Sequence, residues 1–144
     1  MKHTSRKWVA DVCAFSFVFL FVYTATSKLF QFDTFQAQLD RYPWIKHMAT
    51  ILVWAVPAIE LLAAGLLLAR GMRKTGLYLS LSLMVLFTVY LALMLGSGEH
   101  LPCSCGGVIA WMSWKQHLVL NIFFIGIAMA GLAYSPPKIK FYEA

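Results

Sequence analysis

Four long apolar segments divide the chain, and each is close to the length that an α-helix needs to cross a bilayer, about 20 residues. They cover residues 8–26, 49–69, 76–95 and 114–134. Helices are the open-ended structures that satisfy their own backbone polar groups inside lipid. The pattern therefore predicts an all-α polytopic membrane protein, a four-transmembrane-helix bundle that forms a single domain over residues 1–144.

Polar residues between these segments predict where two helices begin. Asp33 followed by Gln36 resembles a capping box. In this motif the first side chain accepts a hydrogen bond from the backbone N–H three residues later, and the side chain of that later residue accepts one from the first backbone N–H. We expect a short interfacial helix over residues 34–41, after the first span. Ser113 and Gln116 form a second capping box, so the fourth span is expected to start at residue 114.

Composition narrows the class of protein further. Hydrophobic residues make up 60% of the chain and charged residues only 12%, whereas roughly a quarter of the residues are charged in a soluble domain. These proportions exclude a water-soluble globule and a disordered chain. No basic stripe of the kind that binds nucleic acid is present, so the lipid bilayer is the predicted partner and nucleic acid is not.

The basic residues predict how the helices are oriented. On one side of the predicted membrane lie eight of them: Lys2, Arg6, Lys7, Arg70, Arg73, Lys74, Lys138 and Lys140. On the other side lie four: Lys28, Arg41, Lys46 and Lys115. Because the cytoplasmic side of a membrane protein carries the excess of Lys and Arg, both termini are expected to be cytoplasmic. Residues 27–48 and 96–113 then face outward.

Two cysteines in the second outward segment are the strongest candidates for chemistry. A single residue separates Cys103 from Cys105. A disulfide across so short a spacing is strained, and strain makes a disulfide easier to reduce. The N-terminus of the fourth span lies shortly after them and is partly positive. His100, Lys115 and His117 are candidates to stabilise a thiolate or move a proton. The pattern favours thiol–disulfide exchange, with both cysteines as the catalytic pair.

Two other interpretations of the pair stay open. The cysteines can form a structural disulfide in a non-enzymatic membrane subunit, or bind a soft metal together with His100 or His117. If they exchange electrons, the partner is either a quinone held in the bundle or a periplasmic thioredoxin-like or disulfide-bearing protein. The third cysteine, Cys13, lies on the far side of the membrane from the pair, and we interpret it as a packing residue.

Glu60 is the unusual residue inside the membrane. It lies near the middle of the second span, where an ionisable group is costly and is a functional hypothesis by default. Ser16, Thr88 and Asn121 are expected at a similar depth. A protonated carboxyl group, hydrogen-bonded between helices, is one interpretation, and part of a proton path is the other. Lys28 is expected either to line the cysteine loop or to extend to the lipid headgroups.

Several short motifs, taken in order, resemble a known family. They are Ser27-Lys28-Leu29, then Pro57, Glu60 and Gly65, then Cys103, Cys105 and Gly107, and finally Asn121. Over about residues 8–134 the chain resembles the MauE/DoxX-like redox-associated membrane proteins, which include the methylamine utilisation protein MauE.

The resemblance implies a four-helix bundle in the bacterial inner membrane and an association with periplasmic thiol chemistry. In MauE this is linked to maturation of a disulfide-rich periplasmic subunit. No residue points to methylamine, so only the class of chemistry is carried over. We expect a thiol–disulfide redox protein that exchanges electrons with periplasmic thiols and aids maturation of a periplasmic protein.

Overall fold

The computed structural model describes residues 2–96 and 113–135. Five α-helices make up most of this part of the chain: α1 (Lys2–Phe30), α2 (Phe32–Asp40), α3 (Ala49–Leu68), α4 (Arg73–Gly96) and α5 (Trp114–Tyr134). A short 3-10 helix, Lys46–Met48, precedes α3. Four of the helices, all except α2, are long and apolar enough to cross a membrane. The predicted fold class, an all-α four-span bundle with a short helix after the first span, is confirmed.

The start of α5 has the capping box that the sequence predicts. The Ser113 side chain accepts a hydrogen bond from the backbone N–H of Gln116, and the Gln116 side chain accepts one from the backbone N–H of Ser113. These two bonds satisfy N–H groups that have no partner within the helix.

The predicted capping box at α2 is absent, because α1 continues to Phe30 and α2 follows almost without interruption. Asp33 is already inside α2, and the residue before the helix, Gln31, makes no side-chain capping bond. The backbone N–H of Gln31 bonds to Ser27 O, and that of Phe35 bonds to Gln31 O. The preceding helix turn therefore already supplies acceptors for donors that a cap would otherwise satisfy.

The four long helices form a ring in which each packs against two neighbours: α1 against α3 and α5, and α4 against α3 and α5. A large cluster of buried apolar side chains forms much of the core between them. Phe17 and Phe21 of α1 are completely buried, and the ring of Phe17 lies 5.3 Å from that of Phe124 on α5, centre to centre. Cys13 is also buried, in agreement with a packing role.

Contacts at each end show which helix termini lie together. Arg73, at the start of α4, forms an ion pair with Asp11 of α1, and Arg6 donates to the carbonyl of Ala133 near the end of α5. We call this the terminal end. At the opposite end, which we call the loop end, Tyr42 packs edge-on against Tyr90 of α4. The segment between α1 and α3 therefore covers the end of the bundle where α4 stops and α5 starts.

Candidate functional site

A cavity of about 320 Å³ lies inside the loop-end half of the bundle. Side chains from all five helices line it, and most are apolar. Its polar lining residues are Thr24, Ser27, Lys28, Gln31, Gln38, Glu60, Tyr90, His117 and Asn121. The volume falls at the lower end of the range of small-molecule pockets, roughly 300–1,000 Å³.

An ion pair between α1 and α3 forms one wall of the cavity. The Lys28 Nζ atom lies 2.7 Å from Glu60 Oε1, and the Thr24 hydroxyl donates to the same oxygen over 3.3 Å. Thr24 and Lys28 are four residues apart on α1, so they lie one above the other on a single helix face. That face packs against α3 and presents both donors to Glu60.

Two aromatic rings also lie near the Lys28 cation. Its Nζ atom lies 5.4 Å from the centre of the Phe87 ring and 5.9 Å from that of Phe35. Cations are attracted to aromatic faces, most strongly where water is excluded. The Glu60 side chain is only 1% exposed, and a charge so deep is tolerated only when it is paired and hydrogen-bonded.

Glu60 therefore has different partners from those that its depth predicted. The Ser16 hydroxyl donates to the Val12 carbonyl of its own helix, and the Thr88 hydroxyl donates to the Met84 carbonyl. Of the two positions expected for Lys28, the one at the lipid headgroups is wrong, and the cysteine loop of the other lies outside the described residues. Because α1 continues past residue 26, Lys28 lies on a regular helix turn that faces α3, and its side chain points inward.

Three buried polar atoms of the cavity residues have no hydrogen-bond partner within residues 2–96 and 113–135. They are Glu60 Oε2, His117 Nδ1 and Asn121 Nδ2. Buried polar atoms in proteins are nearly always hydrogen-bonded. Glu60, His117 and Asn121 line the cavity, and each has one buried polar atom without a partner among the described residues.

Residues 6–134 match the family model described as methylamine utilisation protein MauE. The chain belongs to the MauE family. No curated protein and no solved structure matches it.

The MauE-family match covers the helices and the cysteine segment between α4 and α5. Of the predicted site residues, Glu60, His117 and Asn121 meet at the cavity. Lys115, in the first turn of α5, is exposed and does not line it. The remaining three, His100, Cys103 and Cys105, lie outside the described residues.

The partners of Glu60 were not predicted from the sequence: they are Lys28 and Thr24. The i, i+4 spacing of two hydrogen-bond donors near the end of α1 was a usable signal, because such a pair marks a polar stripe on one face.

As to metals, the described residues contain no group of three or more His, Cys, Asp or Glu side chains placed to hold an ion.

Proposed function

We propose that this MauE-family protein is a thiol–disulfide redox protein of the bacterial inner membrane. It exchanges electrons with thiols of a periplasmic partner through Cys103 and Cys105, and so aids maturation of a periplasmic protein. One observation carries this proposal: the Cys-x-Cys pair lies between Gly96 and Ser113. These residues, which end α4 and precede α5, lie at the same end of the bundle as the polar cavity.

The distribution of charge supports an outward-facing loop end. Basic residues near the start of α1 and around the connection from α3 to α4 collect at the terminal end. At the loop end Lys28 is paired with Glu60, which leaves Arg41, Lys46 and Lys115. By the positive-inside rule this distribution supports a periplasmic position for the cysteines, where disulfides form and persist.

The proposed reaction is a two-step exchange. One cysteine thiolate attacks a sulfur of the partner disulfide, forms a mixed disulfide and releases the other partner sulfur as a thiolate. The second cysteine then attacks the mixed disulfide, so that Cys103 and Cys105 become oxidised and the partner is released as a dithiol. The reverse sequence oxidises the partner. The positive N-terminus of α5 and the exposed Lys115 favour a thiolate in the adjoining segment.

Single substitutions test the exchange. In Cys103→Ser and Cys105→Ser, the remaining cysteine cannot be released by its neighbour, so at least one variant is expected to accumulate a partner adduct. The adduct is detected as a reductant-sensitive band on a non-reducing gel and identified by mass spectrometry. Cys13→Ser, which removes a buried cysteine of α1, is the matched control and should form no such band.

Acid-quenched thiol trapping in intact cells separates a redox pair from a structural disulfide. With a mass-adding maleimide, an oxidised pair gives one added mass, from Cys13, and three after strong reduction. A redox pair should change its state across a glutathione couple, whereas a structural disulfide resists that couple. A pair that never changes state, together with no trapped adduct, would contradict the proposed function.

A further inference from the structure

We propose that the cavity binds the head group of a lipid-soluble quinone, and that this quinone is the two-electron acceptor for Cys103 and Cys105. The redox step rests on the function proposed above. The binding site does not, because it is made only of residues that the structure describes.

The cavity opens at the depth of the bilayer. Leu86 lines it and is also 63% exposed on the outside of α4, so the cavity adjoins the surface of the described helices at this side chain, and we place its opening there. Leu86 lies ten residues before the end of α4 at Gly96, which corresponds to about 15 Å along the helix. An opening at this depth faces lipid and not water. It admits a molecule that is dissolved in the membrane and leaves room outside for an isoprenoid tail.

The walls fit a flat apolar ring. Phe35, Phe87 and Phe124 line the cavity together with Leu20 and Val56. Apolar and aromatic walls with a few convergent polar groups are typical of cofactor sites. A plain acyl chain would fill such walls but would leave the buried polar atoms of the cavity without partners, which is costly.

The polar atoms match both redox forms of a quinone. The oxidised ring has two carbonyl oxygens, which accept hydrogen bonds from the Asn121 Nδ2 group and the Lys28 ammonium group. The reduced ring has two hydroxyl groups, and one of them donates to Glu60 Oε2, a buried acceptor without a partner in the described chain. A site that offers donors and an acceptor around one cavity can hold the molecule before and after reduction.

The quinone alone accepts all the electrons and protons that the two cysteines release. Two S–H bonds break at Cys103 and Cys105, and one S–S bond forms. The two electrons and two protons that are released convert the two quinone carbonyls into the two hydroxyls of the quinol. Membrane quinones are the final oxidant for disulfide formation in the bacterial periplasm, so the class of acceptor suits the proposed compartment.

Binding is tested on the full-length protein in nanodiscs, with Cys103 and Cys105 both changed to Ser so that no reaction occurs. Isothermal titration with decylubiquinone and with a short-chain menaquinone should show saturable binding of at least one of them. Asn121→Leu, which keeps the size but removes the donor, should weaken binding by about tenfold, the loss of one hydrogen bond. The matched control is Ser80→Ala, a buried residue of α4 outside the cavity whose hydroxyl bonds to its own helix at Gly76 O.

Three results would overturn the inference. The first is that neither quinone binds, and the second is that Asn121→Leu binds as tightly as the parent while still giving a folded protein. The third is that decylbenzene, which has the same tail but no carbonyl groups, competes as well as the quinone. In that case the cavity is an apolar lipid site.

A second measurement separates this inference from the proposed function. Reduced wild-type protein, mixed with decylubiquinone, should convert one quinone to quinol for each Cys103–Cys105 disulfide formed, followed by absorbance. If quinone binds but is not reduced, the binding site stands and the acceptor role fails. If the cysteines exchange with a protein partner while no quinone binds, the proposed function stands and this inference fails.

Discussion

At the residue scale, the ion pair of Lys28 and Glu60 is an unusual feature because it lies in the mostly apolar interior of the bundle. A buried ion pair gains Coulomb energy but loses the hydration of both charges, so its net contribution to stability is small. Removing one partner is different, because the other charge is left buried without compensation. The pair is therefore better explained by its position at the cavity than by a contribution to folding.

In a double-mutant cycle, the effects of changing Lys28 and Glu60 on stability are therefore expected to be strongly non-additive. Lys28→Met should destabilise the protein by about 3 kcal/mol, near the lower end for a broken buried pair because Lys28 is 23% exposed. The double variant Lys28→Met/Glu60→Gln should recover most of that loss, since no charge stays buried. Unfolding in mixed micelles by increasing SDS measures both.

The control for this cycle is Lys46→Met, at an exposed lysine of the same end of the bundle. It should change stability by no more than about 0.5 kcal/mol. Additive effects of the two substitutions in the cycle would show that Lys28 and Glu60 are not coupled.

At the scale of elements, the contact between α3 and α4 depends on one close approach. Residues 69–72 join the two helices, and Gly76 of α4 lies against the end of α3. A Cβ atom added at Gly76 would lie 2.9 Å from the backbone N atom of Leu67. Backbone cannot move aside as a flexible side chain can, so this position requires glycine for packing.

Two glycine substitutions are therefore expected to differ in sign or size. Gly76→Ala should destabilise the bundle by about 1–3 kcal/mol, the cost of overpacking. Gly65→Ala should be neutral or stabilising by up to about 1 kcal/mol, because nothing lies within 4 Å of a Cβ there and alanine favours the helix. Both are measured by SDS-induced unfolding.

An equal loss in the two variants would contradict the proposed importance of the α3–α4 contact. A large loss of activity in Gly65→Ala, without loss of stability, would instead show that the exposed face around Gly65 contacts another molecule.

At the scale of the whole molecule, orientation decides whether the cysteine segment meets an oxidising compartment. The described contacts place the start of α1, the start of α4 and the end of α5 together at the terminal end. Most of the basic residues lie near this end, and one of the four assigned to the opposite side, Lys28, is held inside the bundle. Because Arg73 at the terminal end is likewise paired with Asp11, these two ion pairs leave the excess of basic residues at the terminal end as the sequence shows it.

Cysteine labelling tests this orientation. In a background with Cys13, Cys103 and Cys105 changed to Ser, Lys46→Cys at the loop end should react with a membrane-impermeant maleimide in intact spheroplasts. Arg70→Cys at the terminal end should react only after the membrane is permeabilised. Both positions are exposed. The opposite labelling pattern would place the cysteine segment in the cytoplasm and remove the basis of the proposed function.

The sequence by itself determined the fold class, the four long helices and the capped start of α5. Their causes are local: apolar runs of bilayer length predict spanning helices, and the capping box involves residues three apart. The MauE family was also recognisable from short motifs in order. Glu60 and Asn121 could be singled out because polar groups inside apolar segments are rare, and His117 because it lies in the first turn of the fourth span, close to the cysteine pair in sequence.

The tertiary structure alone decided which of these groups meet. The pairing of Lys28 with Glu60, the continuation of α1 to Phe30 and the cavity near Asn121 depend on how far each helix extends and how it is rotated about its axis. Rotation is set by packing against the other helices, such as Phe17 against Phe124, and apolar runs that are nearly uniform around the helix do not encode it. The contacts between helices distant in sequence are therefore determined by tertiary packing, whereas the helices themselves are determined by the local sequence.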